Sequence, residues 1–376
     1  MHLAAQLKLH PSPEQADALR RTRERANAAC NYISECAWES KTFRQFDLHK
    51  LCYREVRDRF GLAAQVTVRC ISKVADGYKL DRNRQRTFRR LGSIAYDARI
   101  LAYHVTESTA SVWSLDGRLL ICFACGERQR ELLVNQKGES DLVFRRGHWY
   151  LLATCAVPDA KPASGPAMGV DLGIRNTAAT SHGTLYSGAA RQQFKEKRHK
   201  VRASLQSRNN RRARKALRKQ SGRERRRITW ENHNLSKAIV AEAEGTQCGT
   251  IRMERLAGIR QRCKIWNKHS NRMVAGWSFA QLRAFIAYKA TRSGIKIECV
   301  EPAYTSQTCA TCGTLGVRRG DVFACTTCGK VHADSNAAVN IARGGVAQGA
   351  KHRARKPARM TARCESVSHI VKSRRL

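Results

Sequence analysis

The chain is poor in acid. Only 30 Asp plus Glu stand against 70 Lys plus Arg, which leaves a formal charge of +40 over 376 residues. A protein with that excess repels itself in isolation, so a polyanion is the expected partner. Long apolar runs are missing as well, and no stretch of about 18 apolar residues is there to span a bilayer. Met1 to Gln15 has no basic segment followed by an apolar block, which argues against a secretory leader. Neither a phosphate-cradling glycine loop nor a Ser-His-Asp arrangement can be traced. Cysteine, by contrast, is plentiful at 15 residues, an odd number of which four fall into a metal-binding pattern. Unpaired thiols suit a reducing compartment, and a cytoplasmic location is expected.

The four patterned cysteines form two Cys-x-x-Cys pairs, Cys309/Cys312 and Cys325/Cys328, twelve residues apart, each followed by a glycine, Gly313 or Gly329. Zinc takes four thiolates in a tetrahedron, and two such turns deliver them. Glycine fits there, because a backbone that curls its amides toward a metal-bound sulfur often needs φ > 0. A ribbon holding one zinc ion is expected. Another pair, Cys122/Cys125, sits in an apolar strand-like run without a matching partner and reads as core.

Along the chain, residues 2 to 10 alternate apolar and polar, as a half-buried strand does. Ser12, Pro13 and Gln15 then supply an N-cap, a first-turn proline and a capping-box glutamine. The helix they start carries Ala16, Leu19, Ala26, Cys30, Ile33 and Ala37 on one face, with Arg20, Arg21, Arg23 and Arg25 expected on its wet side. Helical patterns follow at Phe46 to Phe60 and Ala64 to Lys79. From Ser93 to Pro158 the texture is that of strands, with hairpins about Asp116-Gly117 and Arg146-Gly147. If the first strand joins that sheet, the helical bundle is an insertion in a β-barrel.

Residues 161 to 166 read as a linker. Beyond it lies an apolar strand, Met168 to Ile174, with Asp171 in its middle, and then two short strands. Residues 191 to 229 are densely basic and rich in helix formers. With so few acids interleaved, contact with phosphates is a better reading than a solvated face. Asn234 to Glu244 reads as a further helix, Thr250 to Leu256 as a strand holding Glu254, Phe279 onward as a helix ending near Gly294, and Ile295 to Val300 as the last strand. After the cysteine pairs, Asp334 opens a short alanine-rich helix stopped by Gly344-Gly345. An Asp at a helix start is usually a cap. Two other acids in apolar strands, each needing a partner to be buried, alter that reading. The element order is that of an RNase H-like nuclease core with a ribbon spliced in before its final helix. Three carboxylates at one edge, Asp171, Glu254 and Asp334, can hold two Mg²⁺ for in-line attack on a phosphodiester. Hard oxygens suit Mg²⁺ and thiolates suit zinc, so the two metal sites are not expected to exchange ions.

Gly169-Val170-Asp171-Leu172-Gly173, Met253-Glu254-Arg255-Leu256, Tyr304 to Cys309 and Asp334 to Ile341 together resemble the RuvC motifs and zinc ribbon of the transposon-encoded TnpB family, which is similar to the ancestors of type V CRISPR effectors. The resemblance implies an α/β plus β-barrel protein with a wedge barrel interrupted by a helical recognition bundle, then a RuvC domain with an inserted zinc ribbon. Its implied boundaries are 1–11 for the first barrel strand, 12–92 for the bundle and 93–160 for the rest of the barrel. The nuclease domain follows at 161–304, the ribbon at 305–331, the last helix at 332–345, and a basic tail, disordered until it meets nucleic acid, at 346–376. It further implies an RNA-guided DNA endonuclease with Asp171, Glu254 and Asp334 as catalytic magnesium ligands. The guide RNA would come from the transposon end, and double-stranded DNA beside a short target-adjacent motif would be the substrate. No membrane partner is implied, and the oligomeric state stays open. Arg255 departs from the acid or Asn that often follows the second carboxylate, and it is expected to depress Glu254 or pair with it. A nuclease-inactive guide-directed repressor, a DNA transposase and a ribosome-associated protein are the competing readings.

Delegating sequence reading to base pairing would leave the protein to grip backbones, which accounts for a large positive charge without base-reading motifs. Neutralising four arginines between Arg211 and Arg227 is expected to lower the slope of log affinity against log salt by about three to four. A salt titration of nucleic-acid binding checks this, and an unchanged slope returns the segment to solvated surface.

Overall fold

A computed structural model describes residues 1–256 and 278–345 and divides the chain into Met1–Pro158 and Asp159 onward. The expected basic tail and Trp277 lie outside the described residues. Among the described residues no helix is long and apolar enough to cross a membrane.

The first unit starts with β1 (His2–Leu9), whose Ala5, Leu7 and Leu9 are buried while His2, Ala4 and Gln6 face out, as the period-2 pattern requires. Three helices follow, α1 (Pro13–Glu39), α2 (Gln45–Phe60) and α3 (Ala64–Leu80). Then come β2 (Ile94–Tyr96), β3 (Leu101–His104), β4 (Thr109–Ser114), β5 (Gly117–Ala124), α4 (Glu127–Val134), β6 (Gln136–Arg145) and β7 (His148–Ala156). The strands form one antiparallel sheet in the order β2-β6-β7-β1-β5-β4-β3. Strand β1 therefore sits at its centre, paired with β7 from His2↔Ala156 to Leu9↔Trp149 and with β5 at Lys8 and Leu9. The two edge strands are consecutive in sequence, and the sheet curls so that they approach. The Tyr103 hydroxyl on β3 donates to Ser140 on β6 at 2.9 Å, and that of Tyr96 on β2 to the Trp113 carbonyl on β4 at 3.0 Å. The result is a nearly closed barrel, which leaves little open edge to pair with strangers.

The bundle between β1 and β2 is entered through the expected cap. The Ser12 side chain accepts from the Gln15 amide at 3.2 Å, and the Gln15 side chain from the Ser12 amide at 3.0 Å. Leu19, Ala26, Cys30, Ile33 and Ala37 of α1 are buried, but one of the four arginines expected on the wet side is not there. Arg23 is 2% exposed, donating to the Leu91 and Gly92 carbonyls. Arginine can do this where carbonyl acceptors and an aromatic face replace water, a context that helical periodicity does not reveal. Two further differences concern the sheet. Cys122 is exposed on β5, since Ile121 and Phe123 take the inward positions; only Cys125 packs against the core. Helix α4 interrupts the run expected to be all strands. It is eight residues long with a single buried side chain, Leu133, too little apolar pattern to be read in advance. The hairpin turns are as expected at Arg146-Gly147, where φ is 54° and 80°, and shifted by one residue in the other, where Ser114 pairs with Gly117 across Leu115-Asp116.

The second unit runs β8 (Ala167–Asp171), β9 (Asn176–Thr180), β10 (Leu185–Ser187), α5 (Ala189–Arg208), α6 (Arg211–Gly245), β11 (Thr250–Glu254), α7 (Phe279–Arg292) and β12 (Lys296–Val300). A small ribbon of β13 (Val317–Arg319), β14 (Val322–Cys325) and β15 (Gly329–His332) precedes α8 (Ala333–Ala342). The basic stretch is divided between α5 and α6, and its later part is continuous with the helix expected at Asn234, so the break falls earlier. Asn209 closes α5 with φ 40°, and the Asn210 side chain caps α6 by accepting from the Ala213 amide at 2.8 Å.

The sheet order is β10-β9-β8-β11-β12, with β8, β11 and β12 parallel. Met168, Val170, Ile251 and Met253 point to one face, where α6 (Ile239, Val240, Ala243) and α7 (Leu282, Ile286, Ala290) complete a core. Alternation sends Gly169, Asp171, Arg252 and Glu254 to the other face, which receives α8. The fit there is tight. A Cβ at residue 169 would lie 1.9 Å from the Ala338 carbonyl oxygen and 2.4 Å from the Ala342 nitrogen, so only glycine admits the helix.

Gly169→Ala is accordingly expected to cost at least the ~1–3 kcal/mol of ordinary overpacking, because helix backbone must move rather than a side chain. Urea unfolding of the second unit's transition checks this.

Candidate active site

Strands β8 and β11 run parallel with Val170 opposite Met253. One residue further on each strand, Asp171 and Glu254 therefore stand side by side at the carboxyl ends of the pair. Asp171 is the last residue of β8 and not, as expected, its middle. That end of adjacent parallel strands is where open α/β sheets gather ligands. The third carboxylate arrives on α8. Asp334 occupies its first turn, is 5% exposed, and accepts from Asn176 Nδ2 of β9 at 2.8 Å and from Arg318 Nη2 of β13 at 2.5 Å.

The electrostatics follow from this crowding. Burial and then the charges of Glu254 and Asp334 push the Asp171 carboxyl up to about 7, against the opposing pull of Arg318 and of the Leu172 backbone hydrogen bond. Burial also raises Glu254, although the Thr305 hydroxyl, which donates to its Oε1, and Arg318 work the other way. Arg255, expected to act on Glu254, does neither of the things foreseen; it reaches out to Glu301 at 3.4 Å. The cation that matters is Arg318, supplied by the ribbon. Three carboxylates with one facing guanidinium leave surplus negative charge on hard oxygens, a donor set that fits a divalent cation such as Mg²⁺.

The four ribbon cysteines also converge. The sulfurs of Cys309, Cys312, Cys325 and Cys328 all lie within 4.8 Å of one another, the only such cluster among the described residues. Gly313 and Gly329 have φ of 77° and 82°, as their place after each pair led one to expect. The Thr314 hydroxyl beside Cys325, ahead of nearby backbone amides, lowers that thiol to about 6, toward the thiolate a metal takes. Four thiolates at this spacing fit one zinc ion.

Two buried asparagines join the clusters. Asn336 Nδ2 donates to the Thr308 carbonyl at 2.7 Å while its Oδ1 accepts from the Ala310 amide at 2.8 Å. One turn on, Asn340 Nδ2 donates to the carbonyls of Thr305 and Thr308 at 2.9 and 2.8 Å. Helix α8 thus clamps the segment that carries Thr305, the partner of Glu254, and Cys309. Arg175 and Asp321, 2.7 Å apart, make a second tie between the sheet and the ribbon.

Comparison with known proteins agrees with this layout. Residues 151–260, which include Asp171 and Glu254, match a family described as "Probable transposase". Residues 279–341, with the four cysteines and Asp334, match the Cas12f1-like TNB domain. A TnpB-like protein of Methanocaldococcus jannaschii is 35% identical over 120 residues. Over these segments the chain is similar to TnpB-like proteins. A CRISPR-associated endodeoxyribonuclease Cas12f1 of Sulfoacidibacillus thermotolerans is 42% identical over 115 residues. These matches cover 32% and 30% of the chain, and it spans only 42% and 26% of the length of those two relatives. In a cryo-EM structure of a Cas12f1–sgRNA–target DNA complex, the protein superposes with a TM-score of 0.57 over 88% of this chain and 83% of that one. At 17% identity that likeness is one of fold.

Reading the sequence alone missed Thr305, Arg318, Asn336 and Asn340. Thr305 and the asparagines lie inside the family motifs, so their signal was present but their hydrogen bonds were not. Arg318 had none, as one arginine among many.

An ionised Asp171 is penalised in the fold. Its carboxyl is raised above the unfolded value, so metal-free stability falls as pH climbs from the ordinary carboxylate range through about 7. Asp171→Asn is expected to raise the metal-free melting temperature at pH 8 by about 2–4 °C, the shift that ~1 kcal/mol makes in a domain of this size. Near pH 5, where Asp171 is protonated, the gain should vanish. Melting curves at both pH values check it.

Proposed function

We propose that the chain is an RNA-guided DNA endonuclease whose RNase H-like RuvC centre is Asp171, Glu254 and Asp334. The observation that carries this reading is the register of β8 with β11, which sets two carboxylates abreast while α8 brings the third to the same face. The strand order and the parallel β8-β11-β12 core support it. The relatives' endodeoxyribonuclease name and the Cas12f1 complex with guide and target DNA support the chemistry and the partners, as does the net charge of +40.

Asp171, Glu254 and Asp334 would hold two Mg²⁺, and the four cysteines one zinc ion. Magnesium, when bound, supplies an activated water and neutralises charge on the departing 3′-oxygen. The chain's own residues set up the rest. Thr305 fixes one oxygen of Glu254, and Asn176 one oxygen of Asp334, so each carboxylate keeps a single orientation. Arg318, 35% exposed at its side chain, stands beside Asp334, where a guanidinium can meet a phosphate. Asn336 and Asn340 tie the helix to the ribbon, making the zinc cluster a brace for Asp334. A basic helix pair, α5 and α6, offers phosphate contacts along its exposed arginines.

The family description as a transposase sustains one competing reading, since transposases use similar acid triads. Purified protein with its co-purifying RNA is expected to linearise a supercoiled plasmid carrying the guide-matched target in Mg²⁺. Asp171→Ala should abolish cutting. RNA-independent joining of a donor end to the plasmid would favour the transposase, and undiminished cutting by Asp171→Ala would sink the assignment of this site.

A further inference from the structure

A second polar site lies in the Met1–Pro158 unit, where a pocket of about 590 Å³ opens between the end of β1, the start of α1 and the β6–β7 hairpin. Its lining includes Lys8, His10, Arg23, Phe144, His148 and Trp149. Arg23 is the unusual member. It is 98% buried by its 2% exposure, and no carboxylate pairs with it; Nε and Nη2 go to the Gly92 and Leu91 carbonyls. Its Nη1 is buried and has no hydrogen-bond partner among the described residues. The guanidinium carbon lies 5.2 Å from the centroid of Trp149, and Phe144, 41% exposed, is 4.9 Å from that ring.

An arginine that only braced α1 against the loop at Leu91-Gly92 would use two nitrogens and gain nothing from an orphan third. A buried unpaired cation is costly, and here burial holds Arg23 down to about 10. The acid in the lining, Asp17, is already engaged by Arg20 and Arg21. Lys8, His10 and His148 at the mouth have no acid partner among the described residues. The pocket thus combines a cation without a carboxylate partner, basic groups at its rim and an aromatic face, within the volume range of small-ligand sites. We infer that it receives one nucleotide unit, its phosphate toward Arg23 and its base against Phe144. Phosphate recognition by arginine and base stacking on an aromatic ring are the two contacts that nucleic-acid chains offer repeatedly. The source is either a chain-terminal phosphate or a phosphodiester within a strand.

The inference does not rest on the nuclease centre, because its readout is binding without cleavage. The full chain is titrated calorimetrically with adenosine monophosphate and with adenosine, and by fluorescence anisotropy with one short RNA in 5′-phosphorylated and 5′-hydroxyl forms. Arg23→Gln is compared with Lys8→Glu/His148→Glu, which alters only the rim and is expected to fold as the parent does. Adenosine monophosphate should bind better than adenosine, and both variants should weaken it at least tenfold with the rim variant's melting temperature unchanged. Loss confined to the 5′-phosphorylated RNA identifies a chain end, and equal loss for both RNAs an internal phosphodiester. Equal binding of adenosine and its monophosphate, or undiminished binding by the rim variant, overturns the proposal.

Discussion

Helix α8 can lie on the mixed sheet only because residue 169 has no side chain. That contact brings backbone against backbone, so it has almost no tolerance, and it sets where Asp334 stands relative to Asp171 and Glu254. The register of β8 with β11 places the first two carboxylates; the glycine places the third. Arg252 reinforces the contact by reaching the Ala342 carbonyl at the far end of the helix. Everything else around the candidate site adjusts orientations within the frame these two contacts set.

The same helix couples two kinds of chemistry. Asn336 and Asn340 face the segment 305–310, and Arg318 returns from the ribbon to Asp334. Thiolates that would take zinc and carboxylates that would take magnesium are thereby held by one rigid element, though they prefer different ions. The carboxylates alone repel one another, as the raised Asp171 shows. A ribbon that lends a guanidinium relieves part of that repulsion.

Much of the architecture could be read from local pattern. The period of β1, the Ser12–Gln15 cap and the Arg146-Gly147 turn depend on neighbours close in sequence, and they appear where expected. So do the two Cys-x-x-Cys turns, whose geometry is imposed within five residues. The misreadings share a cause. Arg23 looks like surface by composition, but carbonyls more than sixty residues away and a tryptophan on β7 give it an interior place. Arg255 adjoins Glu254 in sequence, yet a strand sends successive side chains to opposite faces, and it pairs with Glu301. Helix α4 has too little apolar surface to announce itself, and α6 runs on because nothing after Asn210 stops it.

By itself, the sequence determined the positive charge, the four clustered thiols and most of the helices and strands, since each depends on composition or on short-range spacing. Only the tertiary structure decided which side chains meet across long stretches of chain: Arg318 with Asp334, Thr305 with Glu254, and α8 with the glycine of β8. Those meetings depend on strand register and on the depth of one helix over the sheet, quantities that packing of distant segments sets and that no local pattern encodes.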